Sequence, residues 1–332
     1  MGKLFKFSAT AIDEFLSCRK KYYFNRIQNI KPVARPDALD FGSAVHRGLE
    51  SIMRSMANTD DGDREFEQAI NAREIAREYA LQSVRDYAEE YCMNDESKCK
   101  ALALIDSYID LYFLDDLKDF EILAIEQYFE APINEVPDVK TCMHGYFDGV
   151  VKNRNTGEIY VMEHKTTGMM GDDYLAKSHI DWQVIIYMLA CKHKYGRCDG
   201  VFYDAISKPR HTMNVGETDE EFEARKAASK TGRIKRKEAE TQEQFISRVQ
   251  SSFREDTFKR EFIDSNSVNL EQQLHDLDEI ADDMIYCTCH YRCTGNCLKF
   301  GACPYLDLCT GKVTIDNLGD KYVNCDKENE EV

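Results

Sequence analysis

The chain has 332 residues, 43% of them hydrophobic and 31% charged, enough for one large core or two modest ones. Six prolines and 17 glycines are few for this length and exclude collagenous, mucin-like and long disordered readings. The formal net charge of −17 argues against a uniformly basic nucleic-acid binder, yet residues 1–35 carry eight Lys or Arg and residues 225–237 carry seven with no acid among them. The longest apolar run, 184–191, has eight residues, far from the ~20 of a membrane-spanning helix. No apolar signal core follows Lys3 and Lys6. The expectation is no membrane association and a cytoplasmic location.

Residues 9–27 read as a helix, with Ile12, Phe15, Leu16, Tyr22 and Phe24 spaced for one buried face. Residues 41–56, 63–91 and 101–114 read as further helices, with apolar positions three and four apart. The character changes at residue 120. Segments 120–133, 143–152 and 158–165 are β-rich and turn-bounded, and Asn153-Arg154-Asn155-Thr156-Gly157 predicts a hairpin turn between the last two. A helix spans 175–195 and an apolar strand 200–207. From 218 to 283 the chain reads as polar and helical, with the basic run inside it. A cysteine cluster follows, then an acidic tail expected to be mobile. The expected class is α/β, a mixed core with helices before and after it. As domains, 1–315 form one unit (N-terminal helical region 1–115, catalytic core 120–208, helical basic region 209–286, cysteine cluster 287–310), and 316–332 form the tail.

The 13 cysteines are an odd number, and without an export signal they do not suggest a disulfide framework. Six of them, Cys287, Cys289, Cys293, Cys297, Cys303 and Cys309, fall within 23 residues, a crowding that points to metal or an iron–sulfur cluster. Cys92, Cys99, Cys142, Cys191, Cys198 and Cys325 read as small buried hydrophobes or idle thiols. If Cys18 shares a site with the late cluster, the front and back of the fold meet beside the core.

The most specific feature is Gly145-Tyr-Phe-Asp148-Gly followed by Glu163-His164-Lys165. Glu163 and Lys165 lie two apart on a strand and share a side, and a hairpin brings Asp148 beside Glu163. Two hard carboxylates bind Mg²⁺ or Mn²⁺, and an adjacent lysine can hold a water or answer phosphate charge. A lone Glu-x-Lys is more often a surface salt bridge. Three features accompany it: Phe41-Gly-Ser-Ala-Val-His46, Gln183-Val-Ile-Ile-Tyr187 with its polar residues on one helical face, and Ile122-Leu-Ala-Ile-Glu126.

Together and in this order, these elements resemble the PD-(D/E)XK nuclease superfamily, in its RecB-like exonuclease branch, which includes the AddB nuclease domain and the CRISPR-associated RecB-like nucleases. The resemblance is carried by residues 7–26, 41–50, 122–208 and 297–309. It implies a mixed central sheet flanked by helices, with N- and C-terminal helical regions joined by a metal cluster. It implies His46, Asp148 and Glu163 as ligands of Mg²⁺ or Mn²⁺, Lys165 as the catalytic lysine, and Gln183 and Tyr187 as residues positioning DNA and the active site. Glu126 matches a recurrent acidic position and ranks second. Ser17-Cys18-Arg-Lys-Lys-Tyr-Tyr-Phe24 resembles the N-terminal cysteine helix of members with a 4Fe–4S cluster, and Cys303-Pro-Tyr-Leu-Asp-Leu-Cys309 resembles their C-terminal pair. Cys18, Cys297, Cys303 and Cys309 are the implied cluster ligands. The spacing departs from the commoner C-x2-C-x5-C, and Cys293 rivals Cys297. Zinc held among Cys287, Cys289, His290, Cys293 and Cys297 is the competing reading.

The implied activity is a metal-dependent DNA exonuclease of recombination, repair or phage DNA processing, in a bacterial or phage-infected cell. DNA is the substrate, and a helicase or recombination protein is a candidate partner. A non-catalytic nuclease-like DNA-binding subunit and a zinc-stabilised interaction protein are the alternatives.

Overall fold

A computed structural model describes residues 3–34, 37–59, 66–136, 139–229, 234–299 and 301–325. Strand β1 (Lys3–Phe7) leads into helix α1 (Ala9–Ser17), where the Ser8 hydroxyl caps the Ala11 N–H. The helix expected to run to residue 27 breaks at Cys18, whose backbone is extended with φ −165°. It resumes as α2 (Arg19–Tyr22) and a π-turn over Tyr23–Ile27. Strand β2 (Ile30–Pro32) follows.

Three long helices come next, α3 (Asp37–Asn58), α4 (Phe66–Glu90) and α5 (Asp95–Asp119). On α4 the buried stripe is Ala72, Ala76, Ala80 and Val84, small side chains four apart that let helices approach closely. Gly48 serves the same contact from α3, since a Cβ there would fall 2.6 Å from Ile105 of α5.

The sheet begins with β3 (Phe120–Val136), β4 (Val139–Asn153) and β5 (Ile159–Thr167). After α6 (Asp172–Ser178) and α7 (Trp182–Tyr195) comes β6 (Gly200–Ser207). Helices α8 (Asp219–Ala228) and α9 (Gln242–Gln250) both open on a threonine capping box. The segment expected to be helical throughout then contains a strand, β7 (Phe258–Asp264), before α10 (Leu270–Tyr286). β7 is the last strand of the sheet and carries Lys259, Arg260 and Glu261, charges that suit an edge and mask its period. Helix α11 (Leu306–Thr310) and strand β8 (Tyr322–Asn324) complete the described residues. The tail expected to be mobile, 316–332, is paired at Tyr322–Asn324, because β8 forms an antiparallel ladder with β2.

The sheet order is β1-β4-β5-β6-β7, with β3 on the other edge of β4. β1–β4 and β5–β6 are parallel; β3–β4, β4–β5 and β6–β7 are antiparallel. One core packs α1, α7 and α10 on the sheet through Phe7, Phe15, Phe147, Ile185 and Leu277. A second core joins α3, α4 and α5 to Ile206 and Phe258. Among the described residues no helix is long and apolar enough to cross a membrane.

Candidate active site and metal centre

The site lies where β4 changes neighbours. Residues 139–143 of β4 pair with β1, and residues 149–152 pair with β5 on the same edge. Asp148 sits in the fork. The His164 N–H, just past the last β4–β5 pair, donates to Asp148 Oδ2 at 2.9 Å. His46 approaches from α3, whose buried Phe41, Val45 and Leu49 fix the helix on the core, and its Nδ1 stands 3.6 Å from Asp148 Oδ2. Glu126 comes from β3 in a left-handed conformation, φ +46°. Such a backbone costs a non-glycine residue on the order of 1 kcal/mol or more and marks functional positions. Ligand atoms of His46, Glu126 and Asp148 all lie within 4.8 Å of one another, the one such trio among the described residues.

Glu163 and Lys165 share a side of β5, as their spacing requires. Lys165 Nζ donates to Glu163 Oε1 at 3.2 Å and to Gln183 Oε1 at 2.5 Å. Gln183 Nε2 in turn donates to the Tyr187 hydroxyl at 2.8 Å, so one turn of α7 fixes the amide that holds the lysine. Glu163 is 1% exposed and its Oε2 has no hydrogen-bond partner. An orphaned buried carboxylate oxygen beside Asp148 is the state expected of a cation ligand. His46, Asp148, Glu126, Lys165 and Thr166 line a cleft of about 740 Å³.

The sequence model of the PD-(D/E)XK nuclease superfamily matches residues 6–310. The chain belongs to this superfamily. No curated protein matches it in sequence. Superfamily membership implies a nuclease with DNA as its substrate class and a divalent metal as its cofactor, and the fork is the candidate place for that chemistry. The residues present fit such an ion: three ligand atoms are already grouped, and a fourth group, the Glu163 carboxylate, has an oxygen without a hydrogen-bond partner.

The electrostatics of the fork follow from burial. Burial alone would raise Asp148, but the His164 ring and amide and the nearby His46 outweigh it, and its carboxyl is held below the usual carboxylate range. Burial, then the Asp148 charge, pushes Glu163 well above that range. Burial and the charges of Asp148 and Glu50 push Glu126 up to about 7. Burial lowers His46, leaving a neutral imidazole for ligation. Burial opposes the Lys165 charge, but Glu163 overcomes it and raises the amine. Lys165 is therefore a cation at neutral pH.

Behind the fork lies a polar network that the motifs do not reveal. His164 contacts Asp148 and, 3.6 Å away on its other side, Asp204. Arg260 of β7 binds Asp204 at 2.6 and 2.9 Å, Asp116 at 2.5 and 3.0 Å, and the Tyr108 hydroxyl at 2.9 Å. A signal was present: Asp204 interrupts the apolar run Val201-Phe-Tyr-Asp-Ala-Ile206, and a buried acid requires a partner.

The late cysteines do fold back on the break at Cys18. The Cys293 N–H donates to Cys18 Sγ at 3.4 Å, and the Asn296 amide donates to the Ser17 carbonyl at 2.8 Å. A cavity of about 380 Å³ opens between Cys18, Cys293, Cys297 and Cys303. After burial, the neighbours that raise the Cys309 thiol are Cys303, Cys18 and Cys297. Of the scattered cysteines, Cys99, Cys142, Cys191 and Cys198 are buried and Cys92 is exposed. In the basic run, Arg225 pairs with Glu217 and Arg236 with Asp219; residues 230–233 lie outside the described residues.

Proposed function

We propose that the protein is a Mg²⁺- or Mn²⁺-dependent DNA exonuclease of the RecB-like branch, acting in recombination, repair or phage DNA processing. The observation that carries the reading is the fork itself, where His46, Glu126 and Asp148 converge beside the orphaned oxygen of Glu163 and the anchored Lys165. When bound there, a divalent cation supplies Lewis acidity to the scissile phosphate and to a water. His46, Asp148 and Glu163 hold it, and Glu126 joins them as a ligand rather than standing in reserve. Lys165 keeps its proton, so it acts as a donor. Two of its hydrogen bonds go to Glu163 and Gln183, and the third is free to orient a water or a phosphate oxygen. Gln183 and Tyr187 keep the lysine aimed.

Cys18, Cys297, Cys303 and Cys309 are proposed to hold a 4Fe–4S cluster. The support is their convergence across the fold and the Cys293 amide aimed at Cys18 sulfur, a type of contact that tunes thiolate ligands. The test of activity is digestion of end-labelled linear DNA and of closed circles by the holoprotein, with and without chelator. Mononucleotides or short products from linear DNA only, lost on chelation and in Lys165→Ala, support the reading. Equal cleavage of closed circles replaces the exonuclease with an endonuclease.

A further inference from the structure

The cleft is walled by aromatic rings as well as by ligands. Along β4, Gly145 and Phe147 pack inward against Phe129, so His144, Tyr146 and Asp148 share the opposite side of the strand. Tyr146 lines the metal-site cleft. Same-side positions on a strand are ~6.8 Å apart, which places Tyr146 one nucleotide's reach from the Asp148 position. Directly across the ladder is Tyr128 of β3, with the two rings 5.3 Å apart and the His144 ring 6.2 Å beyond. These rings are open, Tyr146 being 55% and Tyr128 41% exposed. The Tyr128 hydroxyl is tethered at 2.6 Å to Glu130, whose charge is answered by Lys6. On the other wall, Tyr91 stacks on Tyr87 with centroids 4.4 Å apart.

A row of fixed, exposed rings leading from a phosphodiesterase centre has a natural ligand in the faces of nucleobases. In a duplex those faces are covered by neighbouring bases; in a single strand they are free to stack on aromatic side chains. We propose that Tyr146 and Tyr128 form a stacking platform for unpaired bases beside the scissile phosphate, so that the substrate class is single-stranded DNA. The proposal rests on the nuclease reading above and goes beyond it by assigning strandedness to two side chains. The alternative role for the pair is purely structural, a cross-strand aromatic contact that steadies the β3–β4 hairpin.

The experiment compares three probes of equal length by fluorescence anisotropy on Glu163→Gln full-length protein: a thymine oligonucleotide, the same backbone with abasic sites, and a duplex. Stacking on two rings predicts that the thymine strand binds at least about tenfold tighter than the abasic strand, with the duplex also weaker. Tyr128→Leu/Tyr146→Leu retains apolar bulk without a π-face and should bring the thymine and abasic affinities within about threefold. Tyr128→Phe/Tyr146→Phe should keep the gap. Quenching of 2-aminopurine in place of thymine should follow the same order. A gap that survives in the leucine variant, or a duplex bound as tightly as the single strand, overturns the platform. Cleavage is measured separately on the native protein. Failure to cut any of the probes overturns the nuclease reading, while base-dependent binding still decides the platform.

Discussion

Arg260→Met tests whether the network behind the fork supports the metal centre. Arg260 makes five hydrogen bonds, two to each of Asp116 and Asp204 and one to Tyr108, and both acids are buried. Methionine fills much of the arginine's volume but leaves two carboxylates facing each other without a cation. Removing one partner of a buried ion pair costs about 3–5 kcal/mol. For a chain of this size that corresponds to a fall in Tm of roughly 4–7 °C. The loss should reach the active site, because Asp204 holds His164 and His164 holds Asp148. Disturbing a residue that orients a metal ligand weakens metal binding by about 10–100-fold. The assays are thermal denaturation of the native and variant proteins, and Mn²⁺ titration well below either Tm. Arg260→Met/Asp116→Asn/Asp204→Asn should recover most of the stability, since no unpaired charge remains. Arg260→Lys should recover only a fraction, because an ammonium cannot reproduce the fork of donors. Unchanged Tm and unchanged Mn²⁺ affinity in Arg260→Met would refute the argument.

Three further outcomes are expected. Glu126→Gln should weaken Mn²⁺ binding by about tenfold or more, and an unaltered titration would return Glu126 to second rank. Metal affinity should rise with pH through about 7, the position of Glu126, because the protons held by Glu126 and Glu163 must leave before the ion binds. Calorimetric titration in two buffers of different ionisation enthalpy counts those protons, and a pH-independent affinity would contradict the burial argument. Protein purified without oxygen should be brown with about four irons per chain. Cys18→Ala and Cys297→Ala should lose the iron while Cys293→Ala retains it; stoichiometric zinc in colourless protein would replace the cluster.

The arrangement of the candidate-site motifs was legible because they are local in sequence. The Asn153–Gly157 turn fixes the β4–β5 hairpin, and alternation then places Glu163 and Lys165 on one side. The four-residue spacing of Gln183 and Tyr187 was equally readable. What could not be read was the placement of Glu126 beside His46 and Asp148. Its weight comes from a left-handed backbone at one residue of a long strand, which no side-chain pattern announces. The break at Cys18 was hidden because the apolar spacing runs on through it. β7 was hidden because Lys259, Arg260 and Glu261 interrupt its alternation, and the partners of Arg260 lie on α5 and β6, remote in sequence. β1 is short and carries two lysines, so its place beside β4 depends on a partner that begins at Val139.

That pairing sets a timetable for synthesis. Lys3 must wait for Val139, and Ile30 for Asn324, before either strand has its ladder. At about 5–20 residues per second, β1 waits roughly 7–27 seconds for its partner, and β2 waits longer still. The helices α3 to α5 are contiguous and can collapse on one another during that interval, ahead of the sheet. Lys3 and Lys6 then matter before the fold exists, because charges on an orphan strand discourage pairing with a neighbouring nascent chain. The fork is assembled only after β4, β5 and α7 have all emerged, so a ribosome-bound chain that stops before Gln183 lacks the amide to which Lys165 donates.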